Sequence, residues 1–222
     1  VLTLEPVPGA DNNLVLPLPP SPVTTEGVAA RGQRLREQLG SGEQRYWTLM
    51  LGGDGAGFRY RKDDWVQLAR LMKNLATRHN VRWLLASSRR TGRAAERRLQ
   101  AELEPGVIAA ACWFGAGDVC DTEAYMGAAQ NVFVTEDSMT MLTEAMYSMR
   151  PVYSLRPAQA SPNQRYAQAL TRFREQGLLC RYALVELSQR LETVQLEPCR
   201  VLTESPLVQL GARLAERLDS LA

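Results

Sequence analysis

Residues 131–151 read NVFVTEDSMTMLTEAMYSMRP, and the reading of this stretch decides the fold. It opens on Val132-Phe133-Val134-Thr135, a short β-branched and aromatic run typical of a buried strand. Glu136-Asp137-Ser138 follows as a polar corner. Met139 to Met149 has the composition of a helix, and Pro151 stops it. A strand that feeds a tight polar turn at a helix N-terminus makes an anion site. The first helical N–H groups lack internal partners, and the helix dipole adds roughly half a positive charge there. Glu144 lies under two turns into that helix, where a carboxylate can accept hydrogen bonds from a vicinal diol such as a ribose. A plainer reading stays open beside this one: Asp137 or Ser138 caps the helix, and Glu144 is a solvated helix residue.

Working outward, the same alternation recurs. Tyr46 to Leu51 is a strand-like run ending in Gly52-Gly53-Asp54-Gly55-Ala56-Gly57. Glycines let a backbone approach a phosphate closely, but the order is neither G-x-G-x-x-G nor a P-loop, and a surface turn is an equal reading. Val81 to Ala86 is a second strand, running into Ser87-Ser88-Arg89-Arg90-Thr91-Gly92. Hydroxyls and guanidiniums at a strand's carboxyl end suit a multiply charged oxygen ligand. The alternative is a solvated basic loop in which Thr91 caps the next helix. Val107 to Phe114 and Val152 to Leu155 are further strands. Helical segments are expected at Thr25–Leu39 with Thr25 as cap, from Asp63 or Asp64 to Arg78, at Ala94–Leu103, in a short piece at Asp121–Met126, at Asn163–Gln176, Ala183–Leu191 and from Pro206 through Leu218.

Short apolar strands alternating with helices imply an α/β fold, a Rossmann-like parallel sheet with helices on both faces. Such sheets bind ligands outside the carboxyl ends of the strands, where the strand order switches. The Gly52 loop, the Ser88-Arg89-Arg90 loop and the Asp137-Ser138 corner all fall on that edge, and their convergence favours a nucleotide-type ligand. Residues 1–25 carry six prolines and read as an extended connector with a short strand at Leu14-Val15-Leu16. Residues 26–222 then form the Rossmann-like domain.

Composition narrows the rest. The chain has 222 residues, is 45% hydrophobic and carries a net charge of +2, so nothing in it argues for nucleic acid or a membrane surface. No apolar run approaches the ~18 residues of a membrane span. Cys112, Cys120, Cys180 and Cys199 show no C-x-x-C spacing and read as reduced thiols, which points to the cytoplasm. With His79 as the single histidine, a zinc cluster is not expected. His79 itself reads as a surface residue at a helix end.

On these residues the chain resembles the plant "elongated mitochondria" fission-factor family and its bacterial relatives, over about Asn12 to Gly177. The carriers are Leu51-Gly52-Gly53, Ser88-Arg89-Arg90-Thr91, and the pattern T-x-D-S-x-x-M-x-x-E-A. That pattern is met by Thr135, Asp137, Ser138, Met141, Glu144 and Ala145, with Pro151-Val152 after it. Bacterial members are often described as predicted nucleoside-diphosphate-sugar epimerases. The resemblance implies one half of a glycosyltransferase-B-like fold, with the connector a remnant of the other half. It implies a UDP- or GDP-type sugar nucleotide as the partner and no further cofactor. The residues marked for binding are Gly52, Gly53, Ser88, Arg89, Arg90, Thr91, Asp137, Ser138 and Glu144, with the catalytic residues unassigned. A non-catalytic interaction module of the same family is the alternative. Two departures stand out: Met149 where the family usually has Gly, and Glu123-Ala124-Tyr125 in place of its Asn-Pro-Tyr.

Overall fold

A computed structural model describes residues 2–4, 7–9, 12–40, 42–190, 193 and 195–219. Its centre is one wholly parallel sheet of six strands. In chain order these are β1 (Arg45–Met50), β2 (Val81–Ala86), β3 (Ile108–Cys112), β4 (Asn131–Thr135), β5 (Val152–Arg156) and β6 (Cys180–Ala183). Their spatial order is 3-2-1-4-5-6. That is the doubly wound Rossmann order, and its switch point lies between β1 and β4. The expected α/β fold is therefore what the chain adopts.

Eight helices complete the described residues: α1 (Thr25–Leu39), α2 (Lys62–His79), α3 (Gly92–Glu102), α4 (Thr122–Ala128), α5 (Met139–Tyr147), α6 (Gln164–Glu175), α7 (Leu184–Gln189) and α8 (Pro206–Asp219). Side chains alternate across a strand, so β1 serves two cores. Tyr46 joins Leu84 and Ala128 under α1 and α4. Trp47 faces the opposite way, onto the α2 side. There Trp83, Trp47, Phe133 and Tyr153 form a row across four strands, with neighbouring ring centroids 4.9–5.7 Å apart. The Trp83 indole donates to the Met72 carbonyl of α2 at 2.9 Å. On the first face, α1 and α4 meet through glycines. A Cβ on Gly32 would lie 2.2 Å from the Gly127 carbonyl carbon, so the two backbones touch because neither residue has a side chain.

Several expectations need correcting. The strand β6 was not foreseen. Cys180-Arg181-Tyr182-Ala183 is only four residues long and runs directly into α7, so it offers no separable period. The helix expected to reach Leu191 ends at Gln189, and Leu191 lies outside the described residues, as do Pro6 and Ser41. Thr24, rather than Thr25, caps α1 by accepting from Gly27 N–H. His79 is half-buried, with its ring 4.8 Å from that of Trp47. Burial first, then Arg78 and Arg45, lower its pKa.

The cysteines differ most. Cys112 and Cys120 form a disulfide across a Cα separation of 5.7 Å, while Cys180 and Cys199 are free. A short 3₁₀ turn at Phe114–Ala116 folds the chain back at the end of β3, a return that a seven-residue spacing does not reveal. The bond removes the reduced-thiol argument for a cytoplasmic location. No helix among the described residues is long and apolar enough to cross a membrane. Among the described residues of the N-terminal segment, Leu14–Val15 pairs with Leu2–Thr3, and Leu16, Leu18 and Val23 are buried, so the segment docks on the fold.

Candidate functional site

The carboxyl ends of β1 and β4 lie side by side, so the loops that follow them must pack together. Glycine is required there. A Cβ on Gly52 would sit 2.1 Å from a carboxylate oxygen of Asp137, and one on Gly53 would sit 2.0 Å from the Arg90 carbonyl oxygen. The absence of those side chains lets three loops close into one cluster. Gly52 N–H donates to Thr135 Oγ1 at 2.6 Å, and Gly53 N–H donates to Asp137 Oδ2 at 3.0 Å. The Arg90 guanidinium reaches the same oxygen at 2.7 Å. Thr91 Oγ1 lies 3.0 and 2.6 Å from the Leu51 and Gly52 carbonyls, and it accepts from Ser88 N–H at 2.9 Å. Thr91 therefore ties the β1 and β2 loops together; its side chain does not cap α3.

Asp137 is the electrostatic centre of this cluster. Its side chain is fully buried, and among the described residues Oδ1 has no hydrogen-bond partner. Burial raises its pKa, opposed by the Gly53 amide, Thr135 and Arg90. Arg90 remains partly exposed, and Arg89 is exposed beside it. Ser138 spends its hydroxyl on the helix, accepting from Met141 N–H at 3.4 Å. The N–H groups of Met139 and Thr140 remain at the head of α5, where both residues line the small cavity that also holds Glu144.

Of the sequence-marked residues, Gly52, Gly53, Ser88, Arg90, Thr91 and Asp137 are bonded into this cluster, and Arg89 and Ser138 flank it. Glu144 stands apart. It lines a cavity of about 120 Å³ with Thr140, Thr143 and the prolines of residues 19–22. Burial and then the neighbouring Glu123 raise its pKa. Thr143 Oγ1, buried in the wall of the same cavity, has no hydrogen-bond partner among the described residues. Among the described residues, no three His, Cys, Asp or Glu side chains are grouped to hold a metal.

Sequence reasoning missed Glu136. It is fully buried and accepts two bonds from Arg181, at 2.7 and 3.1 Å, and one from Ser154 at 2.8 Å. Its carbonyl accepts from the Tyr166 hydroxyl at 2.8 Å. Its position one residue past a buried strand was the available signal. Its partner, Arg181, lies on the unforeseen strand β6.

Comparison with solved structures finds distant likenesses. The ADP-heptose lipopolysaccharide heptosyltransferase II of E. coli is 14% identical with a TM-score of 0.45; the match covers 87% of this chain and 53% of that one. WaaG, a glycosyltransferase involved in lipopolysaccharide biosynthesis, is 17% identical with a TM-score of 0.46, covering 91% and 49%. Acinetobacter baumannii MurG is 14% identical with a TM-score of 0.46, covering 94% and 49%. The chain thus spans about half the length of each. No curated protein sequence matches it. Residues 4–206, most of the chain, match the model of the family described as mitochondrial fission ELM1, and the chain belongs to that family.

Proposed function

We propose that this chain is the nucleotide-sugar-binding half of a glycosyltransferase-like or nucleoside-diphosphate-sugar-epimerase-like protein. One observation carries the reading: three loops from three strands converge at the switch point of a doubly wound sheet, with Arg90 on Asp137 just ahead of the Ser138 cap of α5. In this reading Arg89, Arg90 and Ser88 hold the diphosphate with the first amides of α5, next to the Ser138 cap. Glu144 accepts the ribose hydroxyls. Gly52, Gly53, Thr91 and Asp137 act by position: they bring the loops into contact and aim Arg90. The sugar is UDP- or GDP-linked, and the acid/base residue comes from sequence outside this half.

The test compares a UDP- or GDP-sugar with its bare nucleoside on full-length protein. Arg89→Ala is expected to weaken the nucleotide sugar about tenfold or more, since a charge-assisted bond contributes roughly 1.5–3 kcal/mol. The nucleoside, which lacks the diphosphate, is expected to be unaffected. Equal losses for both would refute the diphosphate role.

A second reading has its own observation. The Gly52 and Gly53 amides, the groups a phosphate would seek, already donate to Thr135 and Asp137. That suits a module which keeps the fold and recruits a protein. Partner capture that survives Arg89→Ala and Glu144→Ala, in a protein that binds no nucleotide sugar, would favour it.

A further inference from the structure

Among the described residues, a second group of cationic side chains lies at the edge of the sheet, two strands from β4. A pocket of about 490 Å³ opens against β6, the edge strand of the sheet. Four arginines line it: Arg156 at the end of β5, Arg174 from α6, Arg181 on β6, and Arg190 just after α7. Arg181 is neutralised by the buried Glu136. Among the described residues, Arg156, Arg174 and Arg190 make no ion pair. Two further carboxylates share the lining, those of Glu186 and Glu197, both exposed.

Three guanidiniums around one concavity repel one another, and the repulsion grows as water is excluded. A tetrahedral oxyanion relieves it, because each planar fork can meet two oxygens. The two carboxylates would disfavour a bare polyanion, but they are acceptors for hydroxyl groups. The volume is that of a small-molecule site. We propose that this pocket binds the phosphate monoester of a small hydroxylated molecule, with Arg156, Arg174 and Arg190 on the phosphate and Glu186 and Glu197 on the hydroxyls. The proposal does not depend on the nucleotide-sugar reading, though Glu136 in the lining adjoins Asp137 of the switch-point cluster.

Titration calorimetry on full-length protein tests this with inorganic phosphate, ribose 5-phosphate and ribose as probes. The expected order is ribose 5-phosphate tighter than phosphate, with ribose not binding. Arg174→Gln and Arg190→Gln are each expected to weaken ribose 5-phosphate at least tenfold, and the pair to abolish binding. Among the described residues neither side chain makes a hydrogen bond or an ion pair, so the melting temperature should hold. Phosphatidic-acid vesicles separate a lipid source from a soluble one: binding to vesicles without binding to ribose 5-phosphate would overturn the proposal. So would an absence of saturable phosphate-monoester binding. Binding that survives the double variant but is lost in Arg89→Ala would also overturn it, by moving the phosphate to the switch point.

Discussion

Gly52→Ala tests the cluster at its tightest point. The added Cβ would lie 2.1 and 2.4 Å from the two Asp137 carboxylate oxygens and 2.5 Å from the carbon between them. Asp137 must then retreat by about 1 Å to reach ordinary contact. Retreat gives up the 3.0 Å bond from Gly53 N–H and strains the 2.7 Å pair with Arg90. Overpacking costs about 1–3 kcal/mol, and leaving a buried donor unmet costs about 1–3 kcal/mol. We expect a loss of about 2–4 kcal/mol, which for a domain of this size is a fall in melting temperature of roughly 5–15 °C. Urea denaturation of wild type, Gly52→Ala, Asp137→Ala and the double variant forms a double-mutant cycle. With alanine at 137 the obstructing atoms are gone, so Gly52→Ala should then cost under about 1 kcal/mol. A cost as large in the Asp137→Ala background as in wild type would refute the packing argument.

Three other predictions follow from particular residues. Met149, where the family usually has Gly, takes a left-handed backbone with φ of 56° just past α5. Glycine should therefore be tolerated there, and Met149→Val should cost about 1–2 kcal/mol in urea denaturation, because a β-branched residue resists that conformation. Glu144 has its pKa raised by burial and Glu123. A raised folded-state pKa means that stability is full below the unfolded value and is lost as pH rises through the folded one. Glu144→Gln should accordingly raise the melting temperature at neutral pH, and that gain should vanish once the pH drops below the ordinary glutamate range. Cys120→Ser opens a short loop and should cost about 2–3 kcal/mol, with a matching loss in wild type on reduction. No change on reduction would show that the contacts of Glu96 with Ser87 and Gly115 hold the loop unaided.

Much of this fold is legible in the sequence because a parallel sheet buried on both faces writes its strands as short apolar runs. VRWLLA and VFVT are such runs; the first became a strand as expected, and the second a strand that also takes in Asn131. The sheet edge was harder. β6 carries Arg181 at its second position because that guanidinium pairs with buried Glu136, and a charge within a short run hides a strand. That three loops meet on one edge was legible, but not how they are wired together. Sequence placed Gly52, Arg90 and Asp137 on one edge. It did not show that Asp137 turns inward onto the glycine amides, which depends on the approach of two loops far apart in the chain. The Met149 departure proved conformational: the backbone there keeps the left-handed geometry that glycine favours.

The nucleotide-sugar reading makes Glu144 the ribose acceptor, a role that a single substitution can test. Calorimetric titration of UDP- and GDP-sugars into full-length wild type and Glu144→Ala tests it directly. Two charged hydrogen bonds to ribose contribute roughly 1.5–3 kcal/mol each, so the account predicts saturable binding to wild type that weakens at least about tenfold in the variant. Absence of binding to wild type, or equal affinity in the two proteins, would contradict it.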